Sequence, residues 1–503
     1  MTDSLETSHQ PVLDPRQLAR QLSNKLLIGG ALRPAIDGKT FPIHSPSTGE
    51  HIGDAAEASA QDVDFAVDIA KSAQITWARL SVRERGKLVA DAGQVLVDHT
   101  EELARLIALE TGKAIRTEAR VEATWASDCF AFFGGLGPAL KGETVPFKPN
   151  MLTITKREPL GVVAAILPWN APLALMGFKI APALVAGNSV IVKSAEEAPL
   201  CALRMVELLN RVLPPGVLNI LSGDGPVCGA PLVAHPDVAK VTFTGSVETG
   251  KMIYRAVAEK LAPVTLELGG KSPMIVMGDA DIAKAVDGAV YGMRFTRQGQ
   301  SCSAASRIFV HASVFADFVK RLRARVDALK MGDPLDESTD IGTIISRTQF
   351  DKVKGYIAHG REIAGDKAIA CSALPSEAHL KDGFYVQPML LVGVDNESRV
   401  AREEIFGPVT CIMEFSEYED ALRMANDTEF GLCATIWTKD LGTALDAADR
   451  LEAGYVQVNQ NIVAGIGTAY GGYKSSGLGK ELSVSSMLEH FTREKTIIFN
   501  MDK

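Results

Sequence analysis

The sequence has little that would favour a polyanionic partner, a membrane or a metal. Lys and Arg number 52 against 61 Asp and Glu, for a net charge of -9. No basic excess is available to displace counterions from phosphates, so nucleic acid is not an expected partner. No apolar run approaches the roughly 20 residues that span a bilayer. The most apolar stretch, 160–169, is short and holds Pro168, so no membrane partner is expected. The opening MTDSLETSHQPVLD lacks a basic start and an apolar segment. It does not read as a secretory signal, and residues 1–22 read as a frayed polar leader of a cytoplasmic protein. The seven cysteines are scattered, odd in number and form no CxxC pair. That suits a reducing compartment and argues against a thiolate zinc site. The nine histidines form no HExxH and no other ligand cluster, so no catalytic metal is expected.

What is present is a globular composition, 46% hydrophobic and 22% charged, over 503 residues. That length predicts two or three cores. The first part reads as helical. Ser59 and Asp62 make a capping-box pattern before Val63, Val67, Ala70 and Ala73 at helical spacing. A second helical run covers 83–110 and stops at Thr111-Gly112. From Val162 short apolar strands (162–167, 189–193, 217–221, 241–243) alternate with helical stretches (173–186, 200–212, 247–260). Strands at 274–277, 307–310, 409–415, 433–437 and 455–458 continue the pattern, with a helix over 314–329 among them. The alternation predicts parallel sheets covered on both faces, in two α/β domains. Residues 152–155 alternate apolar and polar, and 496–499 are strand-like. Strands this exposed often pair with another element or subunit.

Four segments offer chemistry. Gly299-Gln300-Ser301-Cys302-Ser303 sets a cysteine among small polar residues; a thiolate there is a nucleophile, though on this segment alone an inert buried cysteine is the better reading. Glu267-Leu268-Gly269-Gly270-Lys271 follows a strand, so its carboxylate can sit in a cleft, or in a solvated turn. Gly270-Lys271-Ser272 is not a phosphate loop, because Thr265 stands where that motif needs glycine. Thr244-Gly245-Ser246 opens a helix whose free amides suit a pyrophosphate, and Gly223-Asp224-Gly225 lets a flat ring approach the backbone. Lys193 and Glu196 close a strand, where a cofactor ribose or a plain surface ion pair would fit.

Taken together from residue 23 to 500, these segments resemble the aldehyde dehydrogenase superfamily. The likeness rests on Pro168-Trp169-Asn170-Ala171-Pro172, Lys193-Ser194-Ala195-Glu196, Phe243-Thr244-Gly245-Ser246, Glu267-Leu268-Gly269-Gly270-Lys271, Gly299-Gln300-Ser301-Cys302, Glu403-Glu404-Ile405-Phe406-Gly407-Pro408 and Tyr470-Gly471-Gly472-Tyr473-Lys474, in that order. The resemblance implies an NAD-binding domain over 23–140 and 160–271, a catalytic domain over 272–486, and a β arm over 141–159 and 487–503 that builds a homodimer or homotetramer. It implies that Cys302 attacks an aldehyde as a thiolate and that Asn170 and the Cys302 amide hold the oxyanion. Glu267 then activates water against the thioester, and Lys179 and Glu481 support proton transfer. Cofactor contacts implied are Pro168, Trp169, Lys193, Glu196, Gly225, Gly229, Gly245, Ser246, Gly250, Gly269, Glu404 and Phe406, with Glu196 repelling a 2′-phosphate and so favouring NAD.

Two departures stand out. Ser301 and Ser303 flank the nucleophile where many relatives carry cysteine. Ala171, Phe178, Thr296 and Ala464 stand where some relatives have bulkier rings along the substrate funnel, while Tyr470 keeps one. A wider funnel predicts a bulky or aromatic aldehyde. Arg297 faces either a substrate carboxylate or, as the blander reading, solvent or a structural partner. Two rival functions are a coenzyme A-acylating semialdehyde dehydrogenase, which usually lacks the base that Glu267 provides, and a catalytically silent structural member, against which Cys302, Glu267 and Asn170 argue.

Overall fold

Continuous apolar strands are soluble only when helices cover both faces of their sheet, and this chain builds two such sheets. The structure is a computed structural model and describes residues 14–461 and 464–502. In the first sheet the strands run in the order Ala31–Arg33, Leu26–Ile28, Leu218–Leu221, Ser189–Lys193, Val162–Ile166, Val238–Thr244, Val264–Glu267 and Gly477–Leu478. Pairing from Leu218–Leu221 through Val264–Glu267 is parallel, and the strands beyond each end of that run pair antiparallel to it. Val162–Ile166 and Ser189–Lys193 are buried at every residue, which accounts for their unbroken hydrophobicity. The edge strand Gly477–Leu478 arrives from late in the chain, with Gly477 opposite Glu267.

The second sheet has the order Ala368–Ala370, Met389–Val392, Val409–Phe415, Arg307–His311, Pro273–Val276, Cys433–Trp437 and Tyr455–Val458, parallel except for its first member. A separate three-stranded antiparallel sheet joins Thr492–Asn500, Met151–Pro159 and Thr144–Val145. Thr492 pairs with Pro159 and Asn500 with Met151 at the two ends of that ladder. The α/β class and the exposed strands around 152 and 496 are as expected.

Three elements differ from the sequence reading. Residues 1–13 of the expected leader lie outside the described residues, but Pro15–Leu22 is a helix. Asp14 caps it and Pro15 starts it, and Leu18 and Leu22, one turn apart, bury its inner face. The run 83–110 is two helices, Val82–Asp98 and Thr100–Thr111, divided at His99. A helix at Arg120–Gly134, not anticipated, packs against both Val82–Asp98 and Pro172–Val185. Gly86, Gly93 and Gly177 permit those close crossings, since a Cβ at any of them would press on the facing backbone or side chain.

Candidate active site

Parallel sheets bind ligands beyond the carboxyl ends of their strands. Ile166, Lys193, Thr244 and Glu267 end four strands of the first sheet, and their registers place Ile166 opposite Lys193 and Thr244 opposite Glu267. The loops that leave these ends carry Pro168, Trp169, Asn170, Ala171, Glu196, Gly245, Ser246 and Gly269.

The Cys302 loop is shaped by backbone. Gln298 (φ 52°) and Gly299 (φ 64°) are both left-handed and turn the chain out of the short helical turn Phe295–Arg297. The Gln300 side chain fixes the loop, accepting from Ile345 N at 3.1 Å and donating to Thr343 O at 3.3 Å. Gly270 packs so closely that any Cβ there would overlap the Cys302 carbonyl oxygen. Cys302 is half-buried, whereas the other six cysteines are buried. Burial, reinforced by the charges of Glu404 and Glu267, pushes its thiol up to about 12, against a hydrogen bond from Tyr470. The thiol must therefore give up its proton to attack as the thiolate that the resemblance implies.

Asn170, 5% exposed, donates from Nδ2 to Gln300 O at 3.2 Å, which joins the two loops. Glu267, 4% exposed, has no hydrogen-bond partner on either carboxylate oxygen. Burial and then the neighbouring Glu481 charge hold its carboxyl well above the usual range; Lys179 and Lys480 oppose this. Lys179 is fully buried and donates to Glu481 Oε1 at 2.7 Å and to Thr242 Oγ1 at 3.1 Å.

The residues expected to contact the cofactor form a second group. Lys193 and Glu196 are ion-paired, with the lysine buried and the glutamate side chain 42% exposed. Ser246 caps helix Val247–Ala258, accepting from Thr249 N at 3.2 Å. Gly245 and Gly250 let this helix start lie against Phe243 and Leu268. A Cβ at Gly225 or Gly229 would meet nothing within 4 Å, which leaves an open face. Glu404 Oε1 accepts from Gly270 N at 2.9 Å, and Gly269 makes room for the same carboxylate. Trp169 and Phe406 meet edge to face at 5.2 Å, and Gln349 holds the Phe406 carbonyl at 2.8 Å. Pro168, half-buried, precedes this pair.

The funnel residues Ala171, Phe178, Ala464 and Tyr470 share one apolar cluster with Cys302. Sequence reasoning missed Trp125, Leu175, Tyr455 and Ile466, which belong to the same cluster. Trp125 makes a tilted contact with Phe178 at 5.7 Å and Tyr455 meets Tyr470 edge on at 5.5 Å, so the cluster is richer in rings than expected. Trp125 lies on the unanticipated helix Arg120–Gly134, which explains the omission. Thr296 is outside this cluster; its hydroxyl donates to Glu118. Arg297 binds the same carboxylate through Nε at 2.8 Å and Nη2 at 2.7 Å, so its partner is structural. Among the described residues no helix is long and apolar enough to cross a membrane, and no cluster of His, Cys, Asp and Glu could hold a metal ion.

The chain is similar to known proteins along nearly its whole length. The aldehyde dehydrogenase family model matches residues 34–497. The betaine aldehyde dehydrogenase of Rhizobium etli is 42% identical over 467 residues, 92% of this chain and 95% of that protein. The crystal structure of PnpE from Pseudomonas sp. WBC-3 superposes with a TM-score of 0.91 at 38% identity, and that of PnpE in complex with nicotinamide adenine dinucleotide with 0.91 at 37% identity, each covering 96% of this chain and 98% of the other. An E. coli NADP dependent enzyme superposes at 0.90 with 34% identity, over 96% and 99% of the two chains. The match runs nearly end to end in both sequence and structure, and the chain belongs to the aldehyde dehydrogenase family.

Proposed function

We propose that this protein oxidises an aldehyde to a carboxylic acid with NAD, through a thioester on Cys302. The observation that carries the proposal is the meeting of three groups beyond the carboxyl ends of the first sheet: a half-exposed cysteine, an amide bonded to its loop, and a buried carboxylate without a partner.

The cleft fits NAD. Gly225 and Gly229 offer an open backbone face, and the amides at the start of Val247–Ala258 suit a pyrophosphate. Lys193 and Glu196 would hold one ribose, and Glu404 and Phe406 the nicotinamide end. PnpE binds NAD, while the E. coli relative is NADP dependent, so the family accommodates both. Glu196, half-exposed at this position, favours NAD by repelling a 2′-phosphate. Bound NAD supplies what no side chain can, an acceptor for hydride.

The side chains supply the rest. Sγ–H must lose its proton as Sγ adds to the carbonyl carbon, because burial holds it as a thiol. The unpartnered Glu267 carboxylate takes this proton, which solvent water can also carry away, so acylation depends on Glu267 less than hydrolysis does. The carbonyl oxygen becomes an oxyanion that the second N–H of Asn170 Nδ2 and the Cys302 amide stabilise; losing one such donor costs about 100- to 1000-fold in rate. Once the carbon is oxidised it is a thioester. Glu267, once it has released the thiol proton through Lys179 and Glu481, takes a proton from water as that water attacks, the C–S bond breaks with its sulfur regaining a proton, and the carboxylic acid leaves. Lys179 and Glu481, beside Glu267, pass that proton onward.

The substrate is a bulky or ring-bearing aldehyde. Ala171 and Ala464 lie in one apolar cluster with the rings of Trp125, Phe178, Tyr455 and Tyr470, where each takes less volume than a ring would. Betaine aldehyde, which gives the Rhizobium etli relative its name, belongs in the test panel because aromatic faces attract a quaternary ammonium.

The test uses two variants. Cys302→Ala should abolish NADH formation on every aldehyde while NAD still binds. Glu267→Gln should give a burst of NADH and then a slow steady state, because hydrolysis suffers most. Turnover in the alanine variant would overturn the nucleophile assignment; a glutamine variant blocked before the burst would confine Glu267 to thiol activation.

A further inference from the structure

We infer that Glu118 and Glu122 are positioning residues for this reaction, one setting the loop of the nucleophile and the other the loop of the oxyanion donor. The inference rests on the roles proposed for Cys302 and Asn170. Both glutamates lie four residues apart where one wide helical turn runs into helix Arg120–Gly134. In that turn Ala119 N bonds to Ala114 O and Arg120 N to Ile115 O, five residues back in each case. Such turns recur at functional sites.

Buried carboxylates are costly unless paired and hydrogen-bonded. Glu118 is 6% exposed and Glu122 2% exposed, yet neither is spent on holding its own helix. Glu118 accepts from Thr296 Oγ1 and from Arg297, in the turn that leads to Cys302. That turn is bracketed by left-handed Arg294 (φ 57°) on one side and Gln298 (φ 52°) on the other. Non-glycine residues stay in that region only when their surroundings hold them. Glu118 supplies the hold, and Arg297 and Thr296 keep its carboxyl ionised despite burial. Glu122 accepts from Leu173 N at 2.9 Å through one oxygen and pairs with buried Lys113 through the other. Leu173 lies three residues after Asn170, at the start of helix Pro172–Val185, so this bond fixes the exit of the Asn170 loop. The two loops meet where Asn170 donates to Gln300 O. The distance between nucleophile and oxyanion donor is thus set by two side chains of one rigid element.

The test removes each hold without stranding a buried charge. Lys113→Met/Glu122→Leu takes away the acceptor for Leu173 N, and Lys113→Met/Glu122→Gln restores it. Glu118→Leu/Arg297→Met does the same for the other loop. Misplacement of this kind costs about 100-fold, so each leucine form should lose about 30- to 100-fold in kcat with KM for NAD within twofold. The Lys113→Met/Glu122→Gln form should recover most of the loss. Combining both leucine forms should cost little beyond the worse one, since both act on one geometry. In the cofactor-free protein, the pH profile of Cys302 alkylation by iodoacetamide should move in the Glu118 variant. The inference falls if leucine and glutamine at 122 give equal kcat, if losses in kcat only follow losses in Tm, or if the alkylation profile stays put. Cys302→Ala, run beside them, separates the two failures. Activity in that variant sinks the proposed function, whereas an inactive Cys302→Ala with fully active glutamate variants sinks only the positioning role.

Discussion

Lys179 Nζ lies 2.7 Å from Glu481 Oε1, both side chains are buried, and Thr242 Oγ1 donates to the same carboxylate oxygen at 2.9 Å. The second oxygen of Glu481 has no partner. This fixed negative charge stands beside Glu267 and, after burial, is the main reason the Glu267 carboxyl is raised. The base must be deprotonated to act, so activity rises as pH climbs through its raised pKa. Glu481→Gln removes the like charge and leaves Lys179 to favour the ionised form. The acid limb of kcat/KM should therefore move to lower pH. A limb that stays in place or moves upward would show that Glu267 does not govern it.

Lys240 is fully buried, its Nζ has no hydrogen-bond partner, and the Phe491 ring lies 5.5 Å away. Burial brings its pKa down to about 7; Glu481 opposes and Lys179 assists. The unfolded value is about 10.4. Between these pH values the unfolded chain binds more protons, so stability rises with pH; below about 7 the full cost of a buried cation is present. Lys240→Met should raise Tm by about 2–4 °C at pH 6 and by less at pH 9.5. Calorimetry at the two pH values checks this, and an equal gain at both would be the wrong sign pattern for a titrating lysine.

Glu196 is the group expected to choose between the cofactors. Replacing it with serine leaves the Lys193 cation free, which should narrow the NAD over NADP ratio of kcat/KM by about tenfold, a modest fraction of what like-charge contacts cost. A ratio that does not move would place the choice elsewhere in the cleft.

The three-stranded sheet leaves Thr492–Asn500 as an edge with Leu152, Ile498, Phe499 and Met501 exposed. Apolar side chains along an open strand edge call for a partner. The protein should be a homodimer or homotetramer, and Ile498→Lys with Phe499→Glu should reduce its mass in light scattering. A stable wild-type monomer at micromolar concentration would contradict this role for the strand.

The parallel strands were legible because double burial writes itself as unbroken runs such as Val162–Ile166, fully buried in the structure. The same logic failed for Pro15–Leu22, where two leucines one turn apart were too sparse to stand out from a polar segment. The chemical residues were legible through family resemblance more than through physics. Cys302 alone looks like any small buried residue, and its raised thiol depends on burial first and then on Glu404 and Glu267, which are distant in sequence. Glu118 and Glu122 were invisible for the same reason. Their partners, Arg297 and Leu173, lie 179 and 51 residues away.

On the proposed reading, substrate size is set where buried Ala171 and Ala464 share an apolar cluster with Phe178 and Tyr470. Each substrate methylene buried there gains about 0.8 kcal/mol, so three or four should separate a bulky aldehyde from acetaldehyde by well over tenfold in kcat/KM. Ala171 follows Asn170 directly and precedes Pro172, the first residue of its helix, so its Cβ is fixed at the funnel wall by a rigid start. Ala171→Phe should fill the space beside Trp125 and Phe178 without disturbing the Asn170–Gln300 bond. Acetaldehyde turnover should then hold or improve, while that of benzaldehyde and betaine aldehyde should fall by tenfold or more. Arg297 is already bonded to Glu118, so a carboxylated semialdehyde should gain nothing from it, and Arg297→Met should not alter its ranking. Steady-state kinetics on these four aldehydes decide the matter. If acetaldehyde is the best substrate of the wild type, or if Ala171→Phe leaves the order unchanged, the open funnel is not what selects the substrate.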